Sequence, residues 1–120
     1  MDERRTLRVS EAVREELAEI IGFEMDDPRV LDAEVTEVTV SPDSRHATVK
    51  IACRGDEKSQ GKTITALEHA AGYLRRELAF RLALRHVPEL HFERDKNPDV
   101  ESRVDFLLRR ARRSKAREEQ

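Results

Sequence analysis

Two alternating apolar runs joined by Ser41-Pro42-Asp43-Ser44 constrain this chain more than any other feature. In residues 45–54, Ala47, Val49, Ile51 and Cys53 share one face while Thr48, Lys50 and Arg54 share the other. That is the period of two of a half-buried strand. Residues 30–40 alternate as well, but change step. Leu31, Ala33 and Val35 point one way, and Thr36, Val38 and Val40 fall in the opposite phase. The phase change predicts a bulge, or a strand whose first part leaves the sheet. So short a connection, with turn chemistry, leaves one arrangement for the pair, an antiparallel hairpin.

Helical periodicity flanks the hairpin. Across residues 6–24, Val9, Val13, Leu17, Ile20 and Ile21 recur at three- and four-residue intervals, with charged residues between them. Asp26-Asp27-Pro28 ends that helix, because the residue before a proline is driven out of the α region. Gly55 to Gly61 reads as a polar loop or the fraying start of a second helix, whose inward stripe is Ile64, Leu67 and Ala71. Leu74, Leu78 and Leu82 continue at four-residue spacing, widened by Ala79, Phe80, Ala83 and Leu84. This predicts a mostly buried third helix, with a Glu77–Arg81 pair on its polar stripe, stopped by Pro88. Residues 89–94 read as a third strand with Leu90 and Phe92 inward. A last helix starts near Glu101, with Val104, Leu107, Leu108 and Ala111 on one face. Beyond Arg112 the chain is polar and expected to fray. The order is α-β-β-α-kink-α-β-α in one α+β domain.

The kink falls at Ala70-Ala71-Gly72, followed at once by Tyr73-Leu74-Arg75-Arg76. A glycine inside a helix costs about 1 kcal/mol relative to alanine, so a break is predicted there. Beyond a break, the first N–H groups of a new helix turn outward and favour anions. Two arginines in that turn oppose the helix dipole, a conflict that an anion relieves. The plainer alternative is that Gly72 only lets two helices pack closely.

Charge is unevenly spread around a net of −2. Residues 10–43 carry eleven acidic and two basic side chains, whereas residues 44–120 carry eighteen basic and twelve acidic ones. Within 103–117, seven basic groups stand against Asp105 alone. The asymmetry points to an oriented contact with RNA, the acidic side turned away or facing another partner. Charges that merely solvate a small domain are the competing explanation. No apolar run reaches membrane-spanning length and no signal-peptide core follows Met1, so a soluble, cytoplasmic protein is expected.

Catalytic patterns are missing. Gly55 and Gly61-Lys62-Thr63 are separated by five residues where a P-loop needs four. His46, His69, His86 and His91 are dispersed, and a zinc set would need carboxylates recruited from far apart. Cys53 cannot form an intramolecular disulfide and falls on an apolar face, as an inert core residue. No enzyme activity, cofactor or metal is expected. The four phenylalanines fit core positions and leave Tyr73 as the one stacking platform, which favours recognition by phosphate charge and RNA shape.

Four segments together resemble bacterial ribosome-binding factor A: Asp27-Pro28-Arg29, Ser41-Pro42-Asp43, Ala70-Ala71-Gly72-Tyr73-Leu74-Arg75, and Arg85-His86-Val87-Pro88-Glu89-Leu90-His91-Phe92. The resemblance covers residues 5–108 and leaves 109–120 as a basic extension, expected to be partly disordered. It implies a type II KH-like fold, a three-stranded sheet with helices packed on it. It also implies a non-catalytic factor that binds the small (30S) ribosomal subunit, assists late maturation of 16S rRNA and is tied to cold adaptation. The Ala-x-Gly kink takes the place of the KH domain's GxxG clamp. The loop after the third strand departs from the family pattern: Asp95 is kept, but Asn97 and Ser102 occupy its neighbourhood.

The expected RNA-binding set is therefore Ala70, Ala71, Gly72, Tyr73, Arg75 and Arg76 at the kink, with Arg81 and Arg85 extending the track. Lys50 and Arg54 line the groove from the second strand, and Arg103, Arg109, Arg110, Arg112 and Arg113 form a second basic surface. The free protein is expected to be a monomer without a small-molecule substrate. Two rival functions remain at this point, a KH-like module for single-stranded RNA away from the ribosome and a protein adapter using the acidic face.

Overall fold

The hairpin forms as its alternation requires, and the rest of the chain builds around it. The computed structural model describes residues 3–118. Helix α1 (Glu3–Glu19) continues into a single π turn (Ile20–Glu24), and a 3-10 turn (Pro28–Val30) leads to β1 (Glu34–Val40). Then come β2 (His46–Ala52), α2 (Glu57–His69), α3 (Ala71–Leu82), β3 (Glu89–Arg94) and α4 (Val100–Glu118). Sheet order is β1-β2-β3, with β1 antiparallel and β3 parallel to the central β2. This is the α-β-β-α-α-β order of a type II KH-like domain, with α4 added.

The phase change in the first strand is a bulge. Val35 pairs with Ile51 and Glu37 with Lys50, so Thr36 is the extra residue. Its hydroxyl donates to Asp95 Oδ2 at 2.7 Å, which ties the bulge to the turn after β3. With the bulge in place, Val35, Val38 and Val40 all reach the core beside Ala47, Val49, Ile51, Leu90 and Phe92. Val13 and Leu17 from α1 and Ile20 and Ile21 from the π turn cover them, with Leu67, Leu74 and Leu78 from α2 and α3. Ser10 is buried among these and accepts the Val40 N–H at 2.9 Å, fixing α1 to the end of β1.

Several sequence expectations need correction. Helix α1 begins at Glu3, three residues earlier than expected. Of the two readings of Gly55 to Gly61 the helix start holds in place of the loop: α2 begins at Glu57, capped by Asp56, which accepts the Ser59 N–H at 2.8 Å. The buried stripe of α2 is Thr63, Ala66 and Leu67. Helix α3 ends at Leu82, where Ala83 turns left-handed at φ 50°, well before Pro88. It is not mostly buried: Leu74 and Leu78 alone are, and Phe80 is 87% exposed. Cys53 is half-buried at the core's edge, and burial pushes its thiol pKa up, which keeps it protonated.

The last helix differs most. Val104, Leu108 and Ala111 face solvent, and Phe106 is the buried residue. Phe106 fits because Gly22 in the π turn has no side chain: a Cβ there would lie 2.9 Å from Phe106 Cε2. The segment expected to fray beyond Arg112 is helical to Glu118, and residues 119–120 lie outside the described residues.

Candidate RNA-binding surface

The kink sits one or two residues before its glycine. Ala70, at φ −87° and ψ 0°, is at once the last cap of α2 and the first of α3. Its N–H is spent on α2, on the carbonyls of Ala66 and Leu67 at 3.1 Å, while its carbonyl accepts the first bond of α3 from Leu74 at 2.9 Å. No side chain caps α3. The amides of Ala71, Gly72 and Tyr73 therefore start that helix without intrahelical acceptors. Gly72 is not what bends the chain. It lies in the first turn of α3, exposed, and a Cβ there would meet only Arg76 Nη1 at 3.6 Å.

That contact shows where Arg76 goes. Its guanidinium folds back over Gly72 in the first turn, and it has no side-chain partner among the described residues. Arg75 points the other way and is anchored, donating to Val87 O at 2.9 Å and Pro88 O at 3.2 Å, with its charge still at the surface. Tyr73 is 42% exposed and lies on one face of α3 with Arg76 and Phe80, at spacings of three and seven residues. The reasoning that put every phenylalanine in the core missed this pairing of aromatics. A shallow depression next to Arg75 is lined by Arg45, His86 and Glu89, and Arg85 is exposed close by in sequence. Sequence reasoning missed Arg45 and His86 too. The signal for Arg45 was its place right after the hairpin turn.

Arg81, Lys50 and Arg54 are held by acids. Arg81, expected in the track, bonds Glu24 at 2.9 Å, reaches Glu77 at 3.2 Å and lies 3.6 Å from Glu16. Glu24 and then Glu77 push its pKa up, and Arg81 in turn lowers that of Glu24. Lys50 pairs with Glu37 at 3.4 Å and Arg54 with Asp32 at 3.3 Å.

Helix α4 extends the pattern. Arg103 pairs with Glu34 at 3.4 Å, Arg110 with Asp32 at 3.3 Å and Arg113 with Glu19 at 2.9 Å. Arg109 and Arg113 lie over the Phe23 ring at 5.7 and 4.8 Å. Arg112 alone of the expected second surface has no partner among the described residues. The acidic half of the sequence and its basic tail are thus partners of each other.

The histidines, dispersed in sequence, are not all apart in space. The parallel register of β2 and β3 brings His46, Glu89 and His91 together on the solvent side of the sheet. Sequence spacing could not show this, because the register is set by the α2–α3 crossover.

The ribosome-binding factor A family model matches residues 5–108. The chain belongs to this family. A ribosome-binding factor A from Solibacter usitatus is 87% identical over 119 residues, covering 99% of this chain and 97% of that one. The crystal structure of ribosome-binding factor A from Thermus thermophilus superposes with a TM-score of 0.67 at 27% identity, over 74% of this chain and 93% of that one. A Thermus thermophilus homology model, fitted into a cryo-EM map of a complex between the factor and 30S, gives 0.55 at 24% identity, over 78% of this chain and 93% of that one. As a family member the chain is a ribosome-binding factor. Among the described residues no helix is long and apolar enough to cross a membrane.

Proposed function

We propose that this chain binds the small ribosomal subunit through the α2–α3 corner and assists late maturation of 16S rRNA without catalysing a reaction. The observation that carries the reading is the meeting, in the first turn of α3, of uncapped amides, an Arg76 without a partner among the described residues and the exposed Tyr73, with exposed Phe80 about two turns along the same face. Amides and guanidinium both attract a phosphate. The two rings on the same face suit unpaired bases, which widens the expected charge-and-shape recognition to include stacking. A Thermus thermophilus relative fitted into a map of a complex with 30S supports the small subunit as the partner. Binding would favour one rRNA conformation by differential affinity, and release would follow when the mature subunit no longer offers it.

With eight of the eighteen arginines held in ion pairs among the described residues, the contact involves about three phosphates, and raising salt from about 50 to 200 mM should weaken binding by about one and a half orders of magnitude. Sedimentation of the protein with immature small subunits across that range measures it. Affinity independent of salt would remove the electrostatic part of the proposal.

A further inference from the structure

The solvent side of the sheet holds a second cluster, independent of the corner. His46 faces Glu89 across the β2–β3 ladder, and His91 follows Glu89 by two residues on the same side. Leu90 and Phe92 occupy the opposite, buried side. His46 Nδ1 lies 3.0 Å from His91 Nε2 and 3.9 Å from Glu89 Oε2, and one donor atom from each residue falls within 4.8 Å of the others. From these positions we propose that His46, Glu89 and His91 bind one divalent transition-metal ion, zinc being the best match.

The distances and the donor types both support this. A tetrahedral zinc with bonds of about 2.0–2.1 Å sets its ligand atoms roughly 3.3 Å apart. The observed separations bracket that value, and all three side chains are exposed and able to adjust. Two imidazoles with one carboxylate suit zinc and its transition-metal neighbours, whereas magnesium and calcium take oxygen ligands. The backbone beneath is pinned: the His46 N–H donates to Ser41 Oγ at 3.1 Å and the Glu89 N–H to Arg45 O at 2.8 Å. Donors on adjacent strands hold their spacing better than donors on a loop. Three protein ligands leave a fourth position open to water or to a donor from a partner. Without metal, the 3.0 Å contact is an ordinary N–H···N bond between the rings, and the test separates the two cases.

Zinc chloride is titrated into the full chain by calorimetry, with the imidazole nitrogens followed by NMR. One equivalent should bind, moving the ring signals of His46 and His91 and leaving those of His69 and His86 in place. His46→Ala and His91→Ala should each weaken binding at least about tenfold, while His69→Ala leaves it unchanged and magnesium chloride gives no saturable signal. His46 and Glu89 carry side chains more than half exposed, so substitution there leaves the core alone, and the wild-type NMR result stands without any variant. No saturable zinc binding, shifts centred on His69 or His86, or binding that survives His91→Ala would each overturn the proposal.

Discussion

The chain has two arginine-rich regions, and the fold treats them in opposite ways. At the α2–α3 corner Arg76 has no side-chain partner among the described residues, nor has Arg85 in the loop after α3, and Arg75 is held only by neutral carbonyls. Along α4, Arg103, Arg110 and Arg113 each reach a carboxylate from the acidic first part of the chain. Three of the seven basic groups in 103–117 are therefore spent on carboxylates, and Arg109, Arg112, Lys115 and Arg117 keep their charge without one. Charge counted along a chain becomes a binding surface only after the fold has taken what it uses for itself. In α4 that use is attachment: one buried phenylalanine and a row of ion pairs hold the helix against the π turn and β1.

Removing the attachment should have the largest effect. Phe106→Ala empties a buried site against Gly22 and should cost about 3–5 kcal/mol, read as a lower denaturant midpoint. An unchanged midpoint would mean that α4 is not docked. Arg103→Ala acts on charge. Its side chain and that of Glu34 are 15% and 13% exposed, and burial pushes the Glu34 pKa up even with the arginine present. Without Arg103 the carboxylate is left poorly solvated and unpaired, at a cost of about 1–3 kcal/mol near neutral pH. A raised folded pKa favours the protonated form. The deficit should therefore fade as pH falls through the raised folded value towards that of an unfolded glutamate. Unfolding curves at several pH values check the sign.

Along α3 the expected effects fall on binding. Phe80→Ala should leave stability within about 0.5 kcal/mol and weaken subunit binding by about 1–3 kcal/mol if a base stacks there. Equal affinity would return the corner to phosphate contacts alone. The smallest effect should come from Gly72→Ala, which places a methyl on a helix in ordinary contact with Arg76. It should raise stability by about 0.4–1 kcal/mol, visible as a higher melting temperature. A loss of stability would restore the glycine as the source of the kink.

The sheet was readable because period two leaves little choice. The hairpin, the bulge implied by the Val35–Thr36 phase change and the inward Leu90 and Phe92 follow from local patterning. The kink was readable too, though its residue is Ala70, since an uncapped helix junction needs no glycine. The α4 face was not. Apolar-inward reasoning selects Val104 and Leu108, yet arginines turn inward because the surface they meet is acidic. Phe80 defeated the same rule in the other direction, an apolar residue left exposed on α3. The His46–Glu89–His91 cluster depends on a parallel register across a crossover, which no local pattern encodes.

One measurement separates the two arginine regions directly. Small-subunit binding and unfolding are followed side by side for Arg76→Ala/Arg85→Ala and for Arg110→Ala/Arg113→Ala. Losing two charge-assisted phosphate contacts should weaken binding by the first variant at least about tenfold, with its unfolding midpoint unchanged. The second should unfold more easily and bind as the unsubstituted protein does. Normal binding by the corner variant, with binding lost in a stably folded α4 variant, would contradict the account.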